Sequence, residues 1–178
     1  MTIERMLTRE GNDVADLECD EVTELLCSLQ HHSAFSNMNL ECCVEGINNA
    51  LSAGAERLQR PDVHVFLTLG TAWVHEDRET RTVVANCHNF PPRQVKRRFM
   101  GVDEEAAVLS RALAGLFKAN PSACVIFTLS PERHWKDGAV ENARSKAHCL
   151  AAAHHVIHGT TAAEYFPAIE LLIDDLRD

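Results

Sequence analysis

No apolar run in this 178-residue chain approaches the roughly 20 residues that a helix needs to cross a bilayer. The N-terminus mixes Glu4, Arg5, Arg9 and Glu10 with apolar residues, so it lacks the apolar core of a signal peptide. Lysine and arginine number 17 against 26 acidic residues, and a net charge of -9 excludes the basic density on which non-specific nucleic-acid binding relies. The seven cysteines include no Cys-x-x-Cys pair, and Cys42 and Cys43 are adjacent, which suits neither a zinc clip nor a disulfide scaffold. No Gly-x-Gly-x-x-Gly or Walker-type loop is present to cradle a nucleotide phosphate. Internal repeats and low-complexity tracts are also missing. These absences point to a cytoplasmic globular protein that needs no nucleic acid, membrane or cofactor, with reduced thiols.

The apolar pattern predicts alternating elements. A short helical pattern runs from Asp20 to Gln30, and Val44, Ile47, Leu51 and Leu58 share one face of a helix over Glu41 to Leu58. Pro61 and Asp62 break it, and Val63 to Leu69 reads as a buried strand closed by Gly70. Glu76 to Thr80 reads as a charged turn and Arg81 to Ala85 as a short β-like run. The basic residues Arg93, Lys96, Arg97 and Arg98 read as a solvated face. Asp103 is the expected N-cap of a helix ending near Asn120-Pro121. Cys124 to Leu129, bounded by Pro121 and Pro131, is a compact strand, followed by a helix from about Ala139 to His158 with Gly159 just beyond it. Tyr165 to Ile173 reads as a strand leading into a short helix. Strands alternating with helices predict a mostly parallel sheet with helices on both faces.

The chemistry-bearing residues cluster after the two strands. His134, Lys136 and Asp137 lie in the loop at a strand's carboxyl end, where open α/β sheets bind ligands and where a histidine can donate a proton or hold an anion. Gly70, followed by Thr71 and Trp73, lets a backbone N–H approach a ligand closely. Asn86 can offer its amide to an oxyanion, and His88 can polarise a ligand; both residue types also serve plain loops. Cys87 and His88 are sequence neighbours on an extended run and point apart, which excludes thiol catalysis by that pair. Asn142 and Lys146 sit four residues apart on the long helix and share a face that can close over a site. His154 and His158 have the same spacing, but no Glu-x-x-His frame accompanies them, and histidine near a helix C-terminus is favoured by the dipole alone.

Thr68-Leu69-Gly70-Thr71-Ala72-Trp73-Val74, Ala85-Asn86-Cys87-His88, Ser130-Pro131-Glu132-Arg133-His134, Lys136-Asp137-Gly138, Glu141-Asn142 and Ser145-Lys146 resemble the GSCFA domain family. Tyr165-Phe166-Pro167-Ala168 and Asp174-Asp175-Leu176-Arg177-Asp178 continue the likeness, which covers roughly residues 60 to 178. The resemblance implies a flavodoxin-like three-layer α/β/α sandwich with a mostly parallel sheet, related to SGNH (GDSL-type) hydrolases. It further implies an esterase or acyltransferase acting on an acyl ester, such as that of a glycan. On it, Gly70 and Asn86 are oxyanion elements and His88 and His134 line the pocket, while Thr71, Trp73, Lys136, Asn142 and Lys146 contact substrate. The family's Gly-Ser-Cys-Phe-Ala motif is not in this sequence, and its Asp-x-x-His is expected beyond Asp178, so the chain alone is expected to turn over little or no ester. Residues 1–58 form an N-terminal helical region outside the likeness, and 59–178 the α/β domain. The alternative is a non-catalytic binding or oligomerisation module, with a homodimer as one form.

Overall fold

The computed structural model describes residue 11 and residues 17–19, 25–85, 94–133 and 135–176. The chain divides into two units: Met1–Gln59 with Val74–Arg98, and Arg60–Trp73 with Phe99–Asp178.

In the first unit, Glu18–Cys19 (β1) and Leu26–Cys27 (β2) pair antiparallel. The helical pattern expected over Asp20 to Gln30 is thus replaced at Leu26 and Cys27 by a strand. Helix α1, Leu40–Leu58, starts where Asn39 Oδ1 accepts the Cys42 N–H at 3.0 Å. Its buried stripe, Cys43, Ile47, Leu51 and Ala55, repeats every fourth residue, and Leu17 and Phe35 pack on it.

The segment after the first long strand forms sheet: the β-like run expected over Arg81 to Ala85 contains a strand at Val83–Val84, and strands also occur where a charged turn and a solvated face were expected. Trp73–Asp77 (β4), Val83–Val84 (β5) and Val95–Phe99 (β6) make a three-stranded sheet in the order β5-β4-β6. Of these strands, the terminal Trp73 and Phe99 belong to the second unit. Asp77 shapes the β4–β5 turn by accepting the Glu79 and Thr80 N–H groups on Oδ1 at 2.8 and 2.7 Å. Arg81 completes it at φ 60°, in the left-handed region that such turns require at one position. The buried carboxylate of Glu76 pairs with Arg98 Nε at 2.7 Å and Arg81 Nε at 3.1 Å. That pairing is why the basic run is a strand: Arg98 spends its charge on an inward-facing acid instead of on water.

The second unit holds the parallel sheet. His64–Leu69 (β3), Cys124–Leu129 (β7) and Ala163–Phe166 (β8) lie in the order β3-β7-β8, with Leu69 opposite Leu129 and Phe127 opposite Tyr165. Between β3 and β7 comes α2, Val102–Ala119, capped by the Gly101 backbone, so Asp103 sits in the first turn, not at the cap. Acidic Asp103, Glu104 and Glu105 there still complement the helix dipole. Helix α3, Gly138–Ile157, lies against β7 and β8 and packs on α2. A short turn Ala168–Glu170 (α4) leads into a wider one over Leu171–Asp175. The core under α3 joins Ala72, Leu129 and Cys149 to Leu69, Phe99, Leu150, Tyr165 and Ile169. Apolar residues on alternate positions of β7 (Val125, Phe127, Leu129) are at most 1% exposed.

The expected single, mostly parallel flavodoxin-like sheet of an SGNH-type three-layer sandwich is therefore corrected. Among the described residues there are three separate sheets, one parallel and two antiparallel, because β5 and β6 flank β4 in a local sheet and do not join the parallel one. No helix among the described residues is long and apolar enough to cross a membrane.

Candidate functional site

Strands β3 and β7 run in register to their ends, so Gly70 and Ser130 leave the sheet side by side; the Ser130 N–H donates to Leu69 O at 2.9 Å. Helix α3 reaches this rim with two consecutive polar residues, Ser145 and Lys146. Both fall in the buried stripe that continues through Cys149, Ala152, Ala153 and Val156. Small residues along that stripe bring the helix close to the sheet. A lysine there meets backbone, not water.

Lys146 is 7% exposed, and its Nζ donates to Gly70 O at 2.6 Å and to Ser130 O at 2.7 Å. One ammonium thus joins the carbonyls that end two neighbouring strands, and burial lowers its pKa from the ordinary 10.5. Ser145 holds the next residues: its Oγ accepts the Ala72 N–H at 2.7 Å and bonds Thr71 Oγ1 at 2.9 Å. Thr71 Oγ1 in turn accepts the Trp73 N–H at 3.1 Å. The turn Gly70–Trp73 is fixed from α3 at three successive residues.

Beyond that turn, the ring of Phe99 takes the edge of Trp73 at 5.0 Å and of His148 at 4.7 Å, with the Arg144 guanidinium 4.3 Å from its centroid. Next to Lys146, the Cys149 thiol is pushed up to about 12, by burial first and then by Glu105. Burial likewise raises Glu105, which accepts a hydrogen bond from that thiol. Cys149 is therefore inert as a nucleophile near neutral pH.

A cleft of about 240 Å³ opens beside Lys146, lined by Leu129, Ala147, Leu150, Ile169, Glu170 and Ile173. Its walls are chiefly aliphatic. Glu170 is held in place by the Tyr165 hydroxyl, which donates to its two carboxylate oxygens at 2.9 and 3.0 Å. Burial and the facing carboxylate raise the Tyr165 pKa, so the phenol keeps the proton it donates.

Of the residues singled out by the sequence, Gly70, Thr71, Trp73 and Lys146 meet at this rim. Asn142 is half-buried on the second turn of α3, and Lys136 is exposed in the turn Trp135–Asp137. Asn86, His88 and His134 lie outside the described residues. His158 Nδ1 lies 2.7 Å from His154 O, a local contact at the end of α3, and no group of three metal-ligating side chains occurs among the described residues. In the sequence, Ser145 stands out only as part of the Ser145-Lys146 motif, which gives no sign of its role as a brace. Sequence reasoning also missed Glu170 with Tyr165, and Glu105 with Cys149. The stripe Ser145, Cys149, Ala152 and Val156 at helical spacing was the available signal for the first.

The model of the GSCFA family matches residues 1–178, which takes in the N-terminal third as well as the segment with the recognisable motifs. No curated protein matches the chain, and no solved structure does.

Proposed function

The chain belongs to the GSCFA family, and we propose that within it this chain is a non-catalytic module that binds a small aliphatic ligand in the cleft beside Lys146. One observation carries the reading: a buried ammonium and a carboxylate share a cleft whose remaining lining is Leu129, Ala147, Leu150, Ile169 and Ile173. Sites for small molecules have this make-up, an apolar concavity with few fixed polar groups. The position also agrees with the rule that α/β sheets take ligands beyond the carboxyl ends of their strands.

The hydroxyls at the rim support binding over turnover. Ser145 and Thr71 are spent on the backbone N–H groups of Ala72 and Trp73 and on each other. Ser130 Oγ accepts the Glu132 N–H at 3.2 Å. A serine nucleophile needs a base within hydrogen-bond reach and a free path to the acyl carbon. None of these three has such a base among its described partners.

Two measurements test the reading. Methyl NMR with 3-methylbutanol as a neutral probe is expected to shift Leu150, Ile169 and Ile173 and leave Val65 unmoved. Hydrolysis of p-nitrophenyl acetate is expected to match the rate of the unfolded chain. Robust ester turnover that disappears in a folded Ser145→Ala variant would replace the binding module with an enzyme. Silence of the methyl groups of all three residues would remove the site.

A further inference from the structure

We infer that the cleft takes a zwitterion with a branched aliphatic body, an α-amino acid of the valine or leucine class. Its carboxylate meets Lys146 and its ammonium meets Glu170. This rests on the reading of the cleft as a ligand site and adds the chemistry of the occupant.

Charge selects the class. Lys146 and Glu170 line the same cleft, yet no ion pair among the described residues joins them. Each is committed instead to a neutral partner. Lys146 uses two N–H groups on Gly70 O and Ser130 O, and the third finds no acceptor among the described residues. Glu170 takes one proton donor, the Tyr165 hydroxyl, across both oxygens, and each oxygen keeps a lone pair. The cleft therefore offers one unspent cationic donor and one anionic acceptor, fixed independently of each other. Glu132, the carboxylate whose charge acts on Lys146, is exposed and does not line the cleft.

A ligand with a single charge serves one group and offends the other. An aliphatic carboxylate would reach Lys146 but bring a like charge to Glu170, and an aliphatic amine would do the reverse. A zwitterion answers both. Size then limits the body: about 240 Å³ is the liquid volume of about eight water molecules at ~30 Å³ each, room for a small amino acid such as valine or leucine. The walls supplied by Leu129, Leu150, Ile169 and Ile173 suit a branched alkyl side chain and give no partner to a polar one.

The test uses the full chain and three probes: L-leucine, 4-methylpentanoate and 3-methylbutylamine. Titrations followed on the methyls of Ile169 and Ile173 are expected to give leucine a Kd at least about tenfold below either single-charge analogue. Glu170→Gln keeps an oxygen for the Tyr165 hydroxyl and removes only the charge. It is expected to weaken leucine about tenfold and to leave 4-methylpentanoate unchanged or tighter. Equal binding of leucine and an analogue overturns the zwitterion, as does indifference of leucine to Glu170→Gln. If 3-methylbutanol or an analogue moves the methyls and leucine does not, the ligand class fails while the site stands. If no probe moves them, both fall.

Discussion

Replacing Lys146 by methionine tests the brace at the strand ends. Methionine keeps the length and flexibility of the side chain and removes the ammonium. The Gly70 and Ser130 carbonyls then lose donors at 2.6 and 2.7 Å. A hydrogen bond from a charged donor contributes about 1.5–3 kcal/mol, so two give a gross loss of about 3–6 kcal/mol. Against this stands the cost of burying an ammonium, whose sign is visible in the lowered pKa of Lys146. We expect a net loss of about 2–3 kcal/mol, because an apolar replacement restores the burial cost but leaves both acceptors without a donor. For a chain of this size that corresponds to a fall in Tm of about 4–12 °C. Urea unfolding followed by tryptophan fluorescence reads the right part of the chain, since Trp73 and Trp135 both belong to the unit that contains Lys146. The pH dependence adds a second readout. With its folded pKa below 10.5, Lys146 gives up its proton in the native state first. Between the folded value and 10.5 the unfolded chain binds more protons, so native stability rises with pH in that window. Lys146→Met removes that rise. A variant as stable as the parent, with the same alkaline slope, would refute the brace.

Three further outcomes follow from the same geometry. Ser145→Ala strands the Ala72 N–H, which is buried, and should lower stability by about 1–3 kcal/mol in thermal unfolding; an unchanged Tm would mean that water replaces the hydroxyl. Asp77→Asn removes a carboxylate whose pKa lies below 3.8 because it accepts the Thr80 and Glu79 N–H groups, Thr80 first. The parent's advantage over Asp77→Asn should be present above pH 3.8 and vanish as the pH falls through the folded value, which acid titration of the two proteins measures. Maleimide labelling of the native chain, mapped by mass spectrometry, should modify exposed Cys19, Cys42 and Cys124 and spare Cys27, Cys43 and Cys149. Fast modification of Cys149 would contradict both its burial and its pKa of about 12.

Elements bounded by strong local signals were legible in the sequence. Pro121 and Pro131 confine β7 to Cys124–Leu129, and the stripe of Ile47 and Leu51 marks α1. The full β5-β4-β6 sheet was not, because Arg97 and Arg98 look like surface until Arg98 is known to pair with Glu76. A buried ion pair hides a strand from a reading based on apolar alternation. That one omission led to a wrong sheet: Arg81 to Ala85 was expected as a short β-like run, but with the strands on either side of it unread, all strands were assigned to a single mostly parallel layer.

The site shows the complementary difficulty. Lys146 was identified as a contact because it shares a face with Asn142, but its partners are the backbone carbonyls of Gly70 and Ser130. Carbonyls carry no residue signature, so a lysine that binds them reads the same as one that awaits a ligand. The distinction lies in the number of donors, which only geometry supplies: two of three N–H groups close the strand ends, and the third has no acceptor among the described residues. The brace and the proposed ligand contact are therefore two uses of one ammonium. Bonds at 2.6 and 2.7 Å hold it rigidly enough that a bound carboxylate meets a donor already oriented, with little side-chain entropy still to lose.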